Sequence, residues 1–176
     1  MRFTAARLTV LTLLAACTGE TTTTPSPSLI TIAASHAQAE KPIRGSCQTR
    51  FDPPPFPLPA VHRQTDVGTC KLSQLGAADF YAVQDIEFAT GTQRSVVVRI
   101  TAANGDVLLA SSVGSSTASG PVVQFSATLS FEGGTGRFAN ATGQATITGR
   151  ADLLTNTAQL DITDGWLNYD AASRSN

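Results

Sequence analysis

From about residue 59 onward, hydrophobic and polar positions alternate along the chain. Phe80, Ala82, Gln84, Ile86 and Phe88 share one parity, and Tyr81, Val83, Asp85 and Glu87 share the other. A period of two with one mostly apolar face predicts a half-buried strand. Gln84 is the polar exception on the apolar face, which makes it a candidate ligand contact if that face lines a cavity. The run SVVVRITAANGDVLLASSV follows. Its Asn104-Gly105 pair predicts a two-residue hairpin turn, because both residues tolerate positive φ. That turn sets Ala102 opposite Val107, Ile100 opposite Leu109, Val98 opposite Ser111 and Val96 opposite Val113, with this nearly all-apolar face turned inward. In VVQFSATLSFE, the residues Val123, Phe125, Ala127, Leu129 and Phe131 form the next apolar face, and Ala145, Ile147, Gly149 and Ala151 form another.

Leu160 and Ile162 open the last strand region. Asp164 shares their parity and that of Trp166, which is expected to close the core. An unbroken strand would turn Asp164 inward, as a buried acid and a second ligand-binding candidate. The glycine after it favours a turn or bulge instead. No segment has sustained helical periodicity. Seven or eight antiparallel strands without covering helices make an all-β sandwich or a closed barrel. An eight-stranded barrel is wide enough inside for packed side chains or one small ligand.

Between two of these strands lies FEGGTGRFANATG, residues 131–143. Gly134, Gly136 and Ala139 fit the G-x-G-x-x-G/A pattern of dinucleotide loops, and Asp152 lies where a ribose-binding acid would sit. That chemistry needs a strand buried on both faces and then a helix. Here the strand alternates, and ANATGQATITG cannot make an amphipathic helix. No Lys-Ser/Thr pair follows the glycines, so a P-loop fails as well. The sequence therefore points to no cofactor. Gly133, Gly134, Gly136 and Gly143 are read as structural, with Phe131 and Phe138 pinning the loop to the core and Arg137 solvated or paired with an acid.

The N-terminal stretch MRFTAARLTVLTLLAAC has a basic start, a short apolar run and small residues before Cys17, the pattern of a secretory signal too short to span a bilayer. Leu14-Ala15-Ala16-Cys17 resembles a bacterial lipobox, which implies lipidation of Cys17 and a stable multi-acyl anchor. The alternative is an ordinary cleaved signal with Ala37-Gln38-Ala39 as its site, poorly spaced from the apolar run. Thr18 after the cysteine favours the outer membrane in a Gram-negative cell. Residues 1–17 are thus read as signal, 18–45 as a Thr/Pro/Ser-containing tether that cannot bury a core, and 46–172 as the barrel domain.

Arg2 and Arg7 lie in the signal. The remainder therefore carries 13 acidic residues against two fewer than the chain's 12 basic ones, a net charge of −3. With no basic run, nucleic acid is not expected as a partner. With Cys17 lipidated, Cys47 and Cys70 remain, and an exported chain makes a disulfide their natural fate. It would staple RFDPPPFPLPAV, whose prolines forbid helix and central strand. Two cysteines without CxxC spacing and two lone histidines, His36 in the tether and His62 at a strand start, make no metal site.

GGTGRFANATG between two alternating strands resembles the GGTGRFxxATG element of bacterial allene oxide cyclase barrel-like domains, and plant dirigent proteins carry a related GGTG segment. GTCKLSQLG and AANGDVL fit the same group, with Gln74 standing where relatives often have His. The resemblance spans roughly residues 65–170 and implies an eight-stranded antiparallel barrel of calycin type. It carries no reaction residue by residue, and the departure at Gln74 weakens any role that a His there could have had. The favoured expectation is an exported, lipid-anchored envelope protein, non-catalytic, holding a small apolar ligand. A cyclase or isomerase of an oxylipin- or polyketide-like substrate is the enzymatic alternative, and a protein-interaction module is the structural one. There is no G-x-S-x-G elbow, no HExxH and no catalytic cysteine motif. Of the acids in strand-like stretches, parity puts Asp85, Glu87 and Asp161 outside.

Overall fold

The computed structural model describes residues 40–170, so Cys17, the signal and most of the expected tether lie outside the described residues. The described chain is all-β. Its strands are β1 (Lys41–Pro42), β2 (Gly45–Phe51), β3 (Val61–Leu72), β4 (Gly76–Glu87), β5 (Thr92–Ala102), β6 (Val107–Ser119), β7 (Val122–Gly134), β8 (Thr142–Asp152) and β9 (Thr157–Asn168). Strands β2 to β9 pair antiparallel in chain order, and β9 pairs with both β8 and β2, which closes an eight-stranded barrel. The extra strand β1 lies on β9, with Pro42 opposite Trp166. Ile43, just after it, is fully buried. Residues 41–45, expected in the tether, therefore belong to the barrel, because their backbone continues the β2 side of β9.

The alternation places β7 and β8 as expected: Leu129, Phe131, Ala145 and Ile147 are all buried in the core. The Asn104-Gly105 hairpin differs. Thr101 faces Val107, Ile100 faces Leu108 and Val98 faces Ala110. The turn has three residues rather than two: Gly105 N–H donates to Ala102 O, Ala102 N–H to Asp106 O, and Gly105 takes φ 86°. This is a type I turn finished by a glycine bulge. One extra turn residue moves the β6 register by one, which exchanges its faces. Leu108 and Ala110 enter the core, and Leu109 and Val113 stay exposed. A bulge at Val96–Val97 shifts β5 as well, so Val96 is exposed instead of buried and Ser95 turns inward.

The last strand also bulges. Thr146 faces Asp164 while the next pair is Ile147 with Ile162. Asp164 is therefore exposed on the outer face, and Leu167, not Trp166, takes the buried position beyond the bulge. Trp166 sits half-buried outside, opposite Pro42 and Gln144 on the neighbouring strands.

Cys47 and Cys70 are direct cross-strand partners of β2 and β3, 4.0 Å apart at Cα, and form a buried disulfide. It ties together the two strands flanking the proline segment. Replacing both cysteines with serine should lower the unfolding free energy by roughly 3 kcal/mol, mainly through loop-closure entropy. Urea unfolding of oxidised wild type against the double variant would check this, and equal midpoints would refute it.

One end of the barrel is plugged. The loop after β7 turns through Gly136–Phe138, and Phe138 inserts fully buried against Tyr169, ring centroids 5.0 Å apart. Leu75, Ile43, Leu167 and Ala141 join it in the core. Gln74 fastens this end: its amide donates to Pro42 O, its side-chain oxygen accepts from Tyr169 OH, and its carbonyl accepts from Arg137 Nη2. Arg137 lies 3.7 Å from Asp106 Oδ2 and over the Phe138 ring, so it is the paired residue of the two readings above. Gly133, Gly134 and Gly143 all sit within the strand pairs that frame the plug.

Candidate ligand-binding cavity

The opposite end is open. There the barrel encloses a cavity of ≈ 270 Å³, just below the range of drug-sized ligand sites, about 300–1,000 Å³. Its far wall is apolar, with Phe125, Leu129, Ile147 and Leu160. The wall made by β3 and β4 carries a polar cluster. Asp66 is 6% exposed. Gln64 Nε2 donates to its Oδ1 at 3.0 Å, and Gln84 Nε2 donates to its Oδ2 at 2.8 Å. Gln84, singled out by its place in the alternation, is thus a cavity residue, whereas Asp164 is not among those that line it.

Asp66 was not among the expected inward acids. The inner-face residues of β3 are His62, Gln64, Asp66, Gly68, Cys70 and Leu72, so half of that face is polar and its hydrophobic pattern is indecisive. The signal that locates it is parity with Cys70. A disulfide buried in the core fixes even-numbered residues of β3 as inward, and Asp66 is two pairs away from Cys70 on the same side. Asp85 and Glu87 are outside, as parity requires. Asp85 accepts both hydrogen bonds of a bidentate Arg63 pair at 2.8 and 2.9 Å on the outer face, and Glu87 accepts from Thr90.

Burial in this apolar surrounding raises the Asp66 pKa to about 6. The two glutamine amides oppose that shift by stabilising the carboxylate, and the Asp52 charge adds slightly to it. Each amide spends one of its two hydrogens on Asp66, so the cluster offers the carboxylate's remaining lone pairs and two amide oxygens as acceptors, beside one further N–H on each amide. Thr49 adds a hydroxyl on the cavity wall that has no hydrogen-bond partner although it is buried. Ser95, the cross-strand partner of Gln84 on the next strand, shares a hydrogen bond of 2.5 Å with the Ser112 hydroxyl of β6. Ser95 faces inward only because of the β5 bulge.

His62, at the start of β3, is buried. It stacks on Phe88 with centroids 6.3 Å apart, and its Nε2 has no partner. Among the described residues, no three His, Cys, Asp or Glu side chains are grouped to hold a metal ion. The chain matches no protein-family model, no curated protein and no solved structure.

Proposed function

We propose that this protein is an exported, lipid-anchored carrier of a small apolar molecule with one polar end. The observation that supports this reading best is a buried acid with two amide partners facing an apolar wall across the cavity. A site of this design gains affinity from the apolar wall and orientation from the polar cluster. The cluster's one charge is a carboxylate, so it suits a polar end that donates a hydrogen bond and carries no negative charge, as an alcohol does. A ligand carboxylate would meet the Asp66 charge without a cation to offset it.

The expected result is that a medium-chain primary alcohol binds at least about tenfold more tightly at pH 7.5 than the carboxylic acid of equal length. The acid should recover as pH falls below 6 and Asp66 takes a proton. Titration calorimetry of the full chain with the two ligands would measure it. Equal affinities, or an acid preferred at pH 7.5, would exclude this site chemistry. Native mass spectrometry after incubation with envelope lipid extract tests the carrier reading itself, and no bound species would count against it.

The enzymatic reading has one observation in its favour. A carboxyl group with a pKa near 6 in a water-poor cavity is suited to general acid–base work near neutral pH. Asp66 would move the proton, and Gln64 and Gln84 would be positioning residues. The resemblance to the allene oxide cyclase group supports a cyclase or isomerase. Bound extract lipid recovered unchanged after prolonged incubation would favour the carrier, and an isomer formed by the wild type and not by Asp66→Asn would favour the enzyme.

A further inference from the structure

The cavity is two-sided. All the residues that β7, β8 and β9 turn toward it are apolar, and its polar side chains come from β2 to β6. Four of those polar side chains are buried: Thr49, Gln64, Asp66 and Ser95. Gln64 and Asp66 bond to each other, and Ser95 bonds to Ser112. Thr49 takes no part in these bonds. It is 4% exposed, and its hydroxyl has no hydrogen-bond partner. An unmade hydrogen bond in a protein interior is costly, so a hydroxyl held in that state calls for a partner from outside the chain.

Sequence and register explain why the barrel itself supplies none. Thr49 faces Gly68 on β3 and Ala158 on β9. Neither has a polar side-chain atom. Position 68 cannot gain one, because a Cβ there would run into the carbonyl oxygen of Gln48. Small residues on both sides also leave room beside the hydroxyl. Phe51, the next inward residue of β2, is the one opposite Asp66. Thr49 therefore lies one step further from the mouth than the acid, diagonally across the β2–β3 pair. Diagonal neighbours of this kind are roughly 7–8 Å apart.

We infer that Thr49 is a second polar contact of the ligand, which carries two uncharged polar groups along one edge and an apolar flank along the other. One group meets Asp66 and its amides. The second, a hydroxyl or a carbonyl, lies deeper and meets Thr49, which can donate or accept. The apolar flank faces Phe125, Leu129 and Ile147. The rim above is apolar as well, with Leu58 and Phe88, so both polar groups are held below it. A medium-chain diol with its hydroxyls about four carbons apart matches the diagonal. This rests on the carrier reading and names the ligand class for the same cavity.

The test compares octan-1-ol, octane-1,4-diol and octane-1,2-diol by titration calorimetry of the full chain at pH 7.5. The proteins are wild type, Thr49→Val and Thr49→Ser. Valine keeps the branched shape and removes the hydroxyl, whereas serine keeps the hydroxyl. Wild type should bind the 1,4-diol at least as tightly as octanol. In Thr49→Val the ratio of 1,4-diol to octanol affinity should fall by about tenfold, through one lost hydrogen bond and a ligand hydroxyl left unpaired. Thr49→Ser should keep the wild-type ratio. The second hydroxyl of the 1,2-diol is too near the first to reach Thr49, so valine should leave its ratio unchanged. An unchanged 1,4-diol ratio in Thr49→Val, with octanol still bound, overturns the role of Thr49 and leaves the carrier reading standing. The hydroxyl then serves the fold or a resident water, and its removal shifts all three ligands alike. Should Thr49→Val fail to fold, Thr49→Ala is read the same way. A wild type that binds none of the three alcohols sinks the carrier reading, and this inference with it.

Discussion

Gly134→Ala should destabilise the barrel by about 4 kcal/mol, combining a forced close contact with a backbone conformation closed to L residues. Gly134 lies at the end of β7 opposite Leu108, with φ 151°. A Cβ there would stand 1.8 Å from the carbonyl oxygen of Val107. The obstacle is backbone, so no side-chain rotation relieves it, and β6 and β7 would have to part where the Phe138 plug begins. Thr135 N–H also donates to Val107 O, so the same movement strains the loop's attachment. Urea unfolding followed by circular dichroism measures the effect. A loss below about 1 kcal/mol, the ordinary cost of a point substitution, would show that the loop has room the structure does not contain. Gly76→Ala is the natural control: it also has positive φ, but nothing lies within 4 Å of the added Cβ.

Asp66→Asn should do the reverse, stabilising the free protein by up to about 3 kcal/mol at pH 7.5 while weakening alcohol binding. The sign follows from linkage. The Asp66 pKa is raised from 3.8 to about 6 in the fold, so the folded state holds its proton at pH values where the unfolded chain has released it. The associated stability is fully present below pH 4, is lost as pH rises through about 6, and is flat above that. Removing the ionisable group should abolish this decline. The asparagine keeps one acceptor oxygen, and the glutamine amides can turn to receive its N–H, so the cluster stays satisfied. Thermal unfolding of both proteins from pH 4 to 8 gives the test. Parallel curves would mean that Asp66 titrates as an exposed acid. A buried group that lowers stability at neutral pH is the expected pattern of a site built for function.

Much of the architecture was legible in the sequence because a sheet with one buried face writes a period of two into the chain. Val123 to Phe131 and Ala145 to Ala151 were assigned to the correct faces on that basis, and Gln84 was correctly marked as the polar interruption of an inner face. The bulges were not legible at their true positions. One extra residue at Val96–Val97 or in the Ala103–Gly105 turn leaves composition unchanged but exchanges every face beyond it. Val96, Leu109 and Val113 are as hydrophobic as core residues, and pattern alone places them inside.

Local sequence also could not identify Asp66. Its strand carries polar residues on both faces, and only pairing through Cys47–Cys70 and across to Gln84 decides which face is buried. By itself the sequence determined the strands and where they turn, since alternation and turn residues are written in neighbours along the chain, and it left two cysteines to pair with each other. The tertiary structure alone decided that Phe138 plugs one end, that the other end is open with an apolar rim, and that an acid lies behind it. Those features depend on closure of β9 onto β2, which joins residues more than a hundred positions apart and sets the depth and exposure of every side chain between them.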